Sequence, residues 1–133
     1  MKVAVIDSGI DAEHPAVGGH LGGYVVLTDG LLGLLHDTEP HGDSYGHGTA
    51  CAGFIRSVAP GCELYSVKVL GSRLTGRGTT FTAGLRWAIE NGMDVCNVSM
   101  GTIKRSSSQP CTTWQTKPTS ATRCSSRRPT TCL

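Results

Sequence analysis

Four consecutive apolar residues, Val3-Ala4-Val5-Ile6, stand between Met1-Lys2 and Asp7-Ser8-Gly9. A strand with one wet face alternates apolar and polar side chains, so an unbroken run predicts a strand covered on both faces, as in a parallel sheet sandwiched by helices. Further strands are expected at Gly23–Thr28, at Glu63–Leu70 and at Asp94–Met100. Two helical stretches separate these three. One starts at His47 and runs to about Val58, stopped by Pro60-Gly61. The other is capped by Thr79 or Thr80, repeats Phe81, Leu85, Ala88 and Ile89 at helical spacing, and closes at Gly92. Strands alternating with helices call for right-handed crossovers and a parallel α/β sheet. Asp29 to Gly46 reads as loop, with an apolar patch at Leu31–Leu35 assigned no state, and Gly71 to Gly78 reads as a polar loop.

Ligands of such a sheet bind beyond the carboxyl ends of its strands, where Asp7 and Ser99-Met100-Gly101 both fall. A third group joins them. Gly46-His47-Gly48 opens the first helix, and the small residues behind it, Thr49, Ala50, Ala52 and Gly53, suit a helix pressed against other backbone. His47 is then either a structural histidine in a Gly-rich loop or a working imidazole. An aspartate on the same rim favours the second. A carboxylate accepting Nδ1–H fixes the tautomer and leaves Nε2 free to take a proton from a hydroxyl.

Composition matters here mainly because it is uneven. Residues 1–101 hold ten acidic and six basic residues, a net charge of −4, whereas residues 102–133 hold six basic residues and no acidic one. The overall +2 therefore averages two unlike sequences and gives no ground for a nucleic-acid partner. The cysteines divide too: Cys51, Cys62 and Cys96 sit in the apolar pattern, Cys111, Cys124 and Cys132 in the tail. The first three read as buried free thiols, which fit a reducing compartment. A zinc site from His36, His41, His47 and Cys51 lacks any standard spacing. No apolar run reaches membrane-spanning length and no signal peptide precedes the first strand, so a cytoplasmic chain without membrane contact is expected. A nucleotide-binding βαβ unit would need a Gly-x-Gly-x-x-Gly turn, which Asp7-Ser8-Gly9-Ile10-Asp11 does not supply.

Val5-Ile6-Asp7-Ser8-Gly9-Ile10, His47-Gly48-Thr49-Ala50-Cys51-Ala52-Gly53 and Asn97-Val98-Ser99-Met100-Gly101 together resemble signature segments of the subtilisin-like serine proteases, in that family's order of Asp before His. Val69-Leu70-Gly71, Trp87-Ala88-Ile89 and Met93-Asp94-Val95 are similar as well, so the resemblance covers roughly residues 2–102. It implies a subtilisin-like three-layer α/β fold with a parallel sheet, cut after the strand ending near Met100. It implies a serine endopeptidase lineage without cofactor, acting on extended peptides or proteins. Asp7 would be the orienting acid and His47 the general base. Ser99-Met100-Gly101 would be a substrate-pairing strand and Leu74-Thr75-Gly76 the opposing one, while Arg73 and Arg77 read as solvated charges.

This sequence departs from the family in two respects. The family's loop after the His helix often carries calcium ligands, but Arg56-Ser57-Val58-Ala59-Pro60 is short and lacks acids, so no metal is expected there. The oxyanion-hole Asn and the nucleophilic Ser in a Gly-Thr-Ser context are both missing after Gly101. Residues 102–133 instead form a Ser/Thr/Arg/Pro-rich tail whose composition predicts disorder. Reading the message one base out of register gives the tail another meaning. Cys124-Ser125-Ser126 then becomes three apolar residues, Arg127-Arg128-Pro129 three small ones, and Thr130-Thr131 can become Asn-Asn, while Gln109 to Ser120 can spell an amphipathic helix. A frameshift near residues 102–105 that truncates a protease is the expectation, with a non-catalytic peptide-binding fragment or pseudo-protease as the alternative role. A sheet cut in this way has a pairing-prone border, so low solubility or partial order is expected.

Overall fold

A computed structural model describes residues 1–31 and 33–101; the tail readings over 102–133, and Leu32 within the apolar patch, lie outside the described residues. The chain divides at Ser99: Met1–Ser99 is one unit, and of the unit that begins at Met100 only Met100 and Gly101 are described, both in irregular backbone. The first unit contains β1 (Lys2–Asp7), β2 (Gly23–Gly30), β3 (Gly33–Asp37), α1 (His47–Val58), β4 (Glu63–Lys68), α2 (Gly78–Glu90) and β5 (Val95–Val98). Its sheet runs in the order β3-β2-β4-β1-β5. All pairings are parallel except β2 with β3. The chain has the α/β fold that the resemblance implies.

The apolar run explains the position of β1. Val3 to Ile6 are at most 3% exposed, and β1 pairs with β4 on one side (Ile6 opposite Val67) and β5 on the other (Ile6 opposite Val98). Alternate side chains serve opposite layers. Val3, Val5 and Leu64 join Ile10, Val17, Leu21, Cys62 and Ala52 of α1 in one cluster. On the other face Ile6, Val67 and Val69 lie beneath Gly84 of α2, where a β-carbon would sit 3.0–3.3 Å from their methyl groups. Helix α2 therefore rests on the sheet through its own backbone. That close seat corrects part of the expected helical stripe: Ala88 is buried as expected, but it is joined by Thr80 and Gly84, while Phe81 and Leu85 are half-buried and Ile89 is 64% exposed.

Helix ends follow local chemistry. Neither Thr79 nor Thr80 caps α2. Asp29, at the end of β2, accepts a hydrogen bond from Thr79 Oγ1 at 2.9 Å, Thr80 Oγ1 donates to the Arg77 carbonyl at 2.7 Å, and the helix opens at Gly78 after an extended Arg77. A carboxylate beside a helix N-terminus is favourable, which accounts for the shift. At the other end Gly92, with a φ of 66°, closes the helix as expected, its N–H bonded to the Ile89 carbonyl and that of Met93 to Ala88, a Schellman arrangement. After α1 the short turn holds a fixed cation: the Arg56 guanidinium donates to the carbonyls of Val17 (3.1 Å), His20 (3.3 Å), Pro60 (3.2 Å) and Cys62 (2.5 Å).

Three further expectations change. The unassigned apolar patch contributes to β3, which pairs with β2 through Thr28 opposite Leu35 and Gly30 opposite Gly33. All of β3 is exposed, so no burial pattern marked it. Regular pairing in β5 stops at Val98, opposite Ile6, so Ser99, Met100 and Gly101 lie outside the strand. Cys96 is exposed and Cys51 half-buried, leaving only Cys62 buried among the described thiols. β5 has a single neighbour among the described residues, which uncovers Cys96. No helix among the described residues is long and apolar enough to cross a membrane.

Candidate active site

Asp7 and His47 meet, although forty residues separate them. Asp7 ends β1 fully buried, its backbone carbonyl accepting the N–H groups of Val69 and Leu70. His47 is the first residue of α1. Its Nδ1 lies 2.9 Å from both carboxylate oxygens of Asp7, so Nδ1 carries the donated hydrogen. The imidazole side chain is 37% exposed. With Nδ1 occupied, Nε2 is the ring nitrogen able to accept a proton.

A network that the sequence did not disclose sets this geometry. Gly46 precedes α1 with a φ of 100° and has no side chain to cap it. Asp43 supplies the missing acceptor: its Oδ2 accepts Thr49 N–H at 2.8 Å and Thr49 Oγ1–H at 2.6 Å. Its Oδ1 accepts Ser8 Oγ–H at 2.7 Å and Tyr45 N–H at 2.9 Å. The Ser8 hydroxyl in turn accepts Gly48 N–H at 3.2 Å. Ser8 follows Asp7 and Gly48 follows His47, so the network clasps β1 to α1 one residue beyond each member of the pair. An Asp three to six residues before a helix that begins after glycine was the available signal, since such carboxylates commonly satisfy free N–H groups at helix starts.

The loop bearing Asp43 is anchored at a second point. His41 Nε2 lies 2.9 Å from Oγ of fully buried Ser66, the ring meets Tyr24 edge-on at 5.3 Å between centroids, and Lys68 Nζ donates to the Gly42 carbonyl. Burial holds the His41 imidazole below the usual histidine range, aided by Lys68 and opposed by the Glu39 carbonyl and Asp37. For Asp43 burial alone would raise the carboxyl, but the hydrogen bonds from Thr49, Gly46, Tyr45 and Ser8 outweigh it and hold the group well below the usual carboxylate range. Both depressed groups bind fewer protons folded than unfolded, so stability rises with pH across each transition. The contribution of His41 is complete above about pH 6.5 and is lost as pH falls below it; that of Asp43 is complete above about pH 4 and is lost on further acidification. The expected thermal-melting profile therefore declines in two steps on acidification. Asp43→Asn removes the lower step and His41→Gln the upper, and loss of the cap in Asp43→Ala costs about 1 kcal/mol at neutral pH.

The other candidate residues are placed differently. Ser99 reaches the site, its Oγ 3.4 Å from Cys51 Sγ. Leu74, Thr75 and Gly76 form no strand; Gly71 N–H bonds the Thr75 carbonyl, Leu74 N–H bonds the Gly71 carbonyl, and Leu74 takes a φ of 52°. Arg73 and Arg77 are exposed as expected, Arg77 Nε lying 3.4 Å from Asp29. Of the residues weighed for zinc, His47 and Cys51 are neighbours, but His36 is exposed on β3 and His41 is engaged by Ser66.

A mostly parallel sheet flanked by helices, with a buried carboxylate and a half-exposed imidazole paired at its carboxyl rim, defines an α/β protein with a carboxylate–imidazole pair. The chain belongs to the Subtilase family of serine-type peptidases, whose family model matches residues 1–128. That match runs beyond the span of roughly 2–102 read from the motifs. Subtilisin E of Bacillus subtilis (strain 168) is 41% identical over 110 residues, covering 76% of this chain and 27% of its own length. Subtilisin of Bacillus pumilus is also 41% identical over 110 residues, covering 76% of this chain and 37% of its own. Among solved structures, a lanthipeptide protease superposes with a TM-score of 0.61 at 31% identity, over 77% of this chain and 29% of that one. The chain thus spans between a quarter and two-fifths of the length of these relatives.

Proposed function

We propose that this chain carries the general-base half of a serine endopeptidase. Asp7 holds His47 in the Nδ1–H tautomer, and Nε2 takes the proton of a seryl hydroxyl as the oxygen attacks a peptide carbonyl to form an acyl-enzyme. The observation that carries this reading is His47 Nδ1 at 2.9 Å from both oxygens of a fully buried aspartate. Its substrates would be extended peptides or proteins, engaged through backbone at Leu74-Thr75-Gly76 and at Ser99.

The 133 residues contain neither a Gly-Thr-Ser nucleophile nor an oxyanion Asn after Gly101. On this reading they do not turn over peptide bonds by themselves, and the out-of-register tail supplies the cause. A fluorophosphonate, which reacts only with an activated serine, separates the possibilities. The 133-residue chain stays unlabelled, and the same chain continued in the shifted frame through a Gly-Thr-Ser segment becomes labelled, in a manner lost in His47→Ala. Labelling of the short chain would refute its inactivity; a continued chain that stays unlabelled would refute the peptidase reading. The nucleotide sequence tests the frameshift directly, since a shifted frame that fails to extend the protease pattern removes it. The alternative, a non-catalytic peptide clamp, draws support from β5 having one partner among the described residues, and a peptide titration that saturates without labelling favours it.

A further inference from the structure

Cys51 stands one helical turn after His47, on the same side of α1, and the general-base reading gives it no part. Its Sγ lies 4.0 Å from His47 Nδ1, the atom that Asp7 also engages. Together the Asp7 carboxylate, His47 Nδ1 and Cys51 Sγ place one oxygen, one nitrogen and one sulfur within 4.8 Å of one another. Tetrahedral zinc, with bonds of about 2.0–2.3 Å to such donors, needs ligand atoms about 3.4–3.6 Å apart. The measured 2.9 Å from nitrogen to oxygen and 4.0 Å from nitrogen to sulfur straddle that spacing. Ser99, an exposed residue, brings its Oγ to 3.4 Å from Cys51 Sγ. The fourth position is left to water or to that hydroxyl.

We infer that Asp7, His47 and Cys51 form an inhibitory site for a divalent, borderline-soft metal ion, with zinc as the ligand. The thiol distinguishes it from a site of carboxylate and imidazole alone, because thiolate selects such ions over calcium or magnesium. Binding replaces the hydrogen bond between Nδ1 and Asp7 with two metal bonds. The ring keeps its single proton, which moves through solvent from Nδ1 to Nε2, and the Cys51 thiol releases one proton to water. Nε2 then holds a proton and cannot accept another, so the metal switches off the base by exchanging the tautomer. The site stands on these three side chains whether or not the pair acts on a serine.

The test is a zinc titration of the 133-residue chain with nitrogen-15-labelled histidine, read by NMR. One equivalent is expected to convert the His47 signals from the Nδ1–H to the Nε2–H tautomer. Replacing Cys111, Cys124 and Cys132 with Ser, to remove the tail thiols, leaves that change in place, as does Cys96→Ser. Cys51→Ser weakens it more than about tenfold, the least expected for a lost ligand when removing even an outer partner costs that much. In the unmutated chain zinc also protects Cys51 from iodoacetamide in preference to Cys96, a reading that needs no variant to fold. Zinc that binds equally well to Cys51→Ser, that leaves the His47 tautomer unchanged, or that leaves Cys51 alkylation unaltered overturns the site, and none of these results alters fluorophosphonate labelling of a continued chain.

Discussion

Asp7→Asn, placed in a polypeptide of this sequence continued through a nucleophilic serine, lowers kcat about 10⁴-fold while leaving KM within a few-fold. Two consequences of one buried group combine. The carboxylate is fully buried, and it accepts hydrogen from both His47 Nδ1 and the Ser8 N–H. An amide keeps the shape and one acceptor oxygen, but its other terminus is a donor. With Ser8 N–H claiming the oxygen, the NH₂ group faces Nδ1 and stabilises the ring tautomer protonated at Nε2, which cannot take a proton from an alcohol. The carboxylate also offsets the charge of the imidazolium as it forms, and the amide removes that too. Because Asp7 touches no substrate in this reading, loss of kcat with a nearly constant KM is the signature. A parallel loss in KM, or a fall of less than about tenfold, would mean that His47 works without its partner. NMR provides a check free of turnover: the Nδ1–H signal of His47, present in the parent, moves to Nε2 in Asp7→Asn.

How far these features were legible in the sequence depended on whether burial wrote a pattern. β1 was visible because both of its faces are covered, and α1 because glycine, histidine and proline punctuate its ends. The placement of Asp7 and His47 followed from those two elements alone. β3 was not visible, since a strand exposed along its whole length is selected for neither periodicity nor apolar residues. The stripe on α2 was misread for a different reason. Periodicity counted large side chains, yet the contact with the sheet is made by Gly84 and its small neighbours. Asp43 was missed because a capping residue four positions before the helix, acting across a loop, leaves only a charge among other charges. Motif resemblance pointed to Ser99 and Leu74-Thr75-Gly76 as strands, but a strand needs a paired neighbour. Among the described residues Ser99 has none, and the Leu74 loop is closed by its own hydrogen bonds.

Gly48→Ala is expected to destabilise the first unit by about 3 kcal/mol or more. At His47 the helix starts almost in contact with the backbone that follows β1: a β-carbon on Gly48 would overlap the carbonyl oxygen of Gly9 and lie 3.2 Å from the Asp7 β-carbon. A flexible side chain could swing aside, but a carbonyl in a fixed turn cannot. Gly9 is itself held at a φ of 108° with its own β-carbon position against the Gly42 carbonyl, so the strain cannot be passed down the chain. Relief requires α1 to lift from β1, which lengthens the distance from His47 to Asp7 and pulls Gly48 N–H from the Ser8 hydroxyl. For a unit of about 100 residues 3 kcal/mol corresponds to a fall in Tm on the order of 10 °C or more. Gly61→Ala is the matched control, because nothing lies within 4 Å of the added carbon and its φ is not positive; its effect should stay within about 1 kcal/mol of zero. Equal melting temperatures for the two variants would show that α1 can rise off the sheet at little cost, and the close approach of helix to strand would then not be what holds the imidazole against its carboxylate.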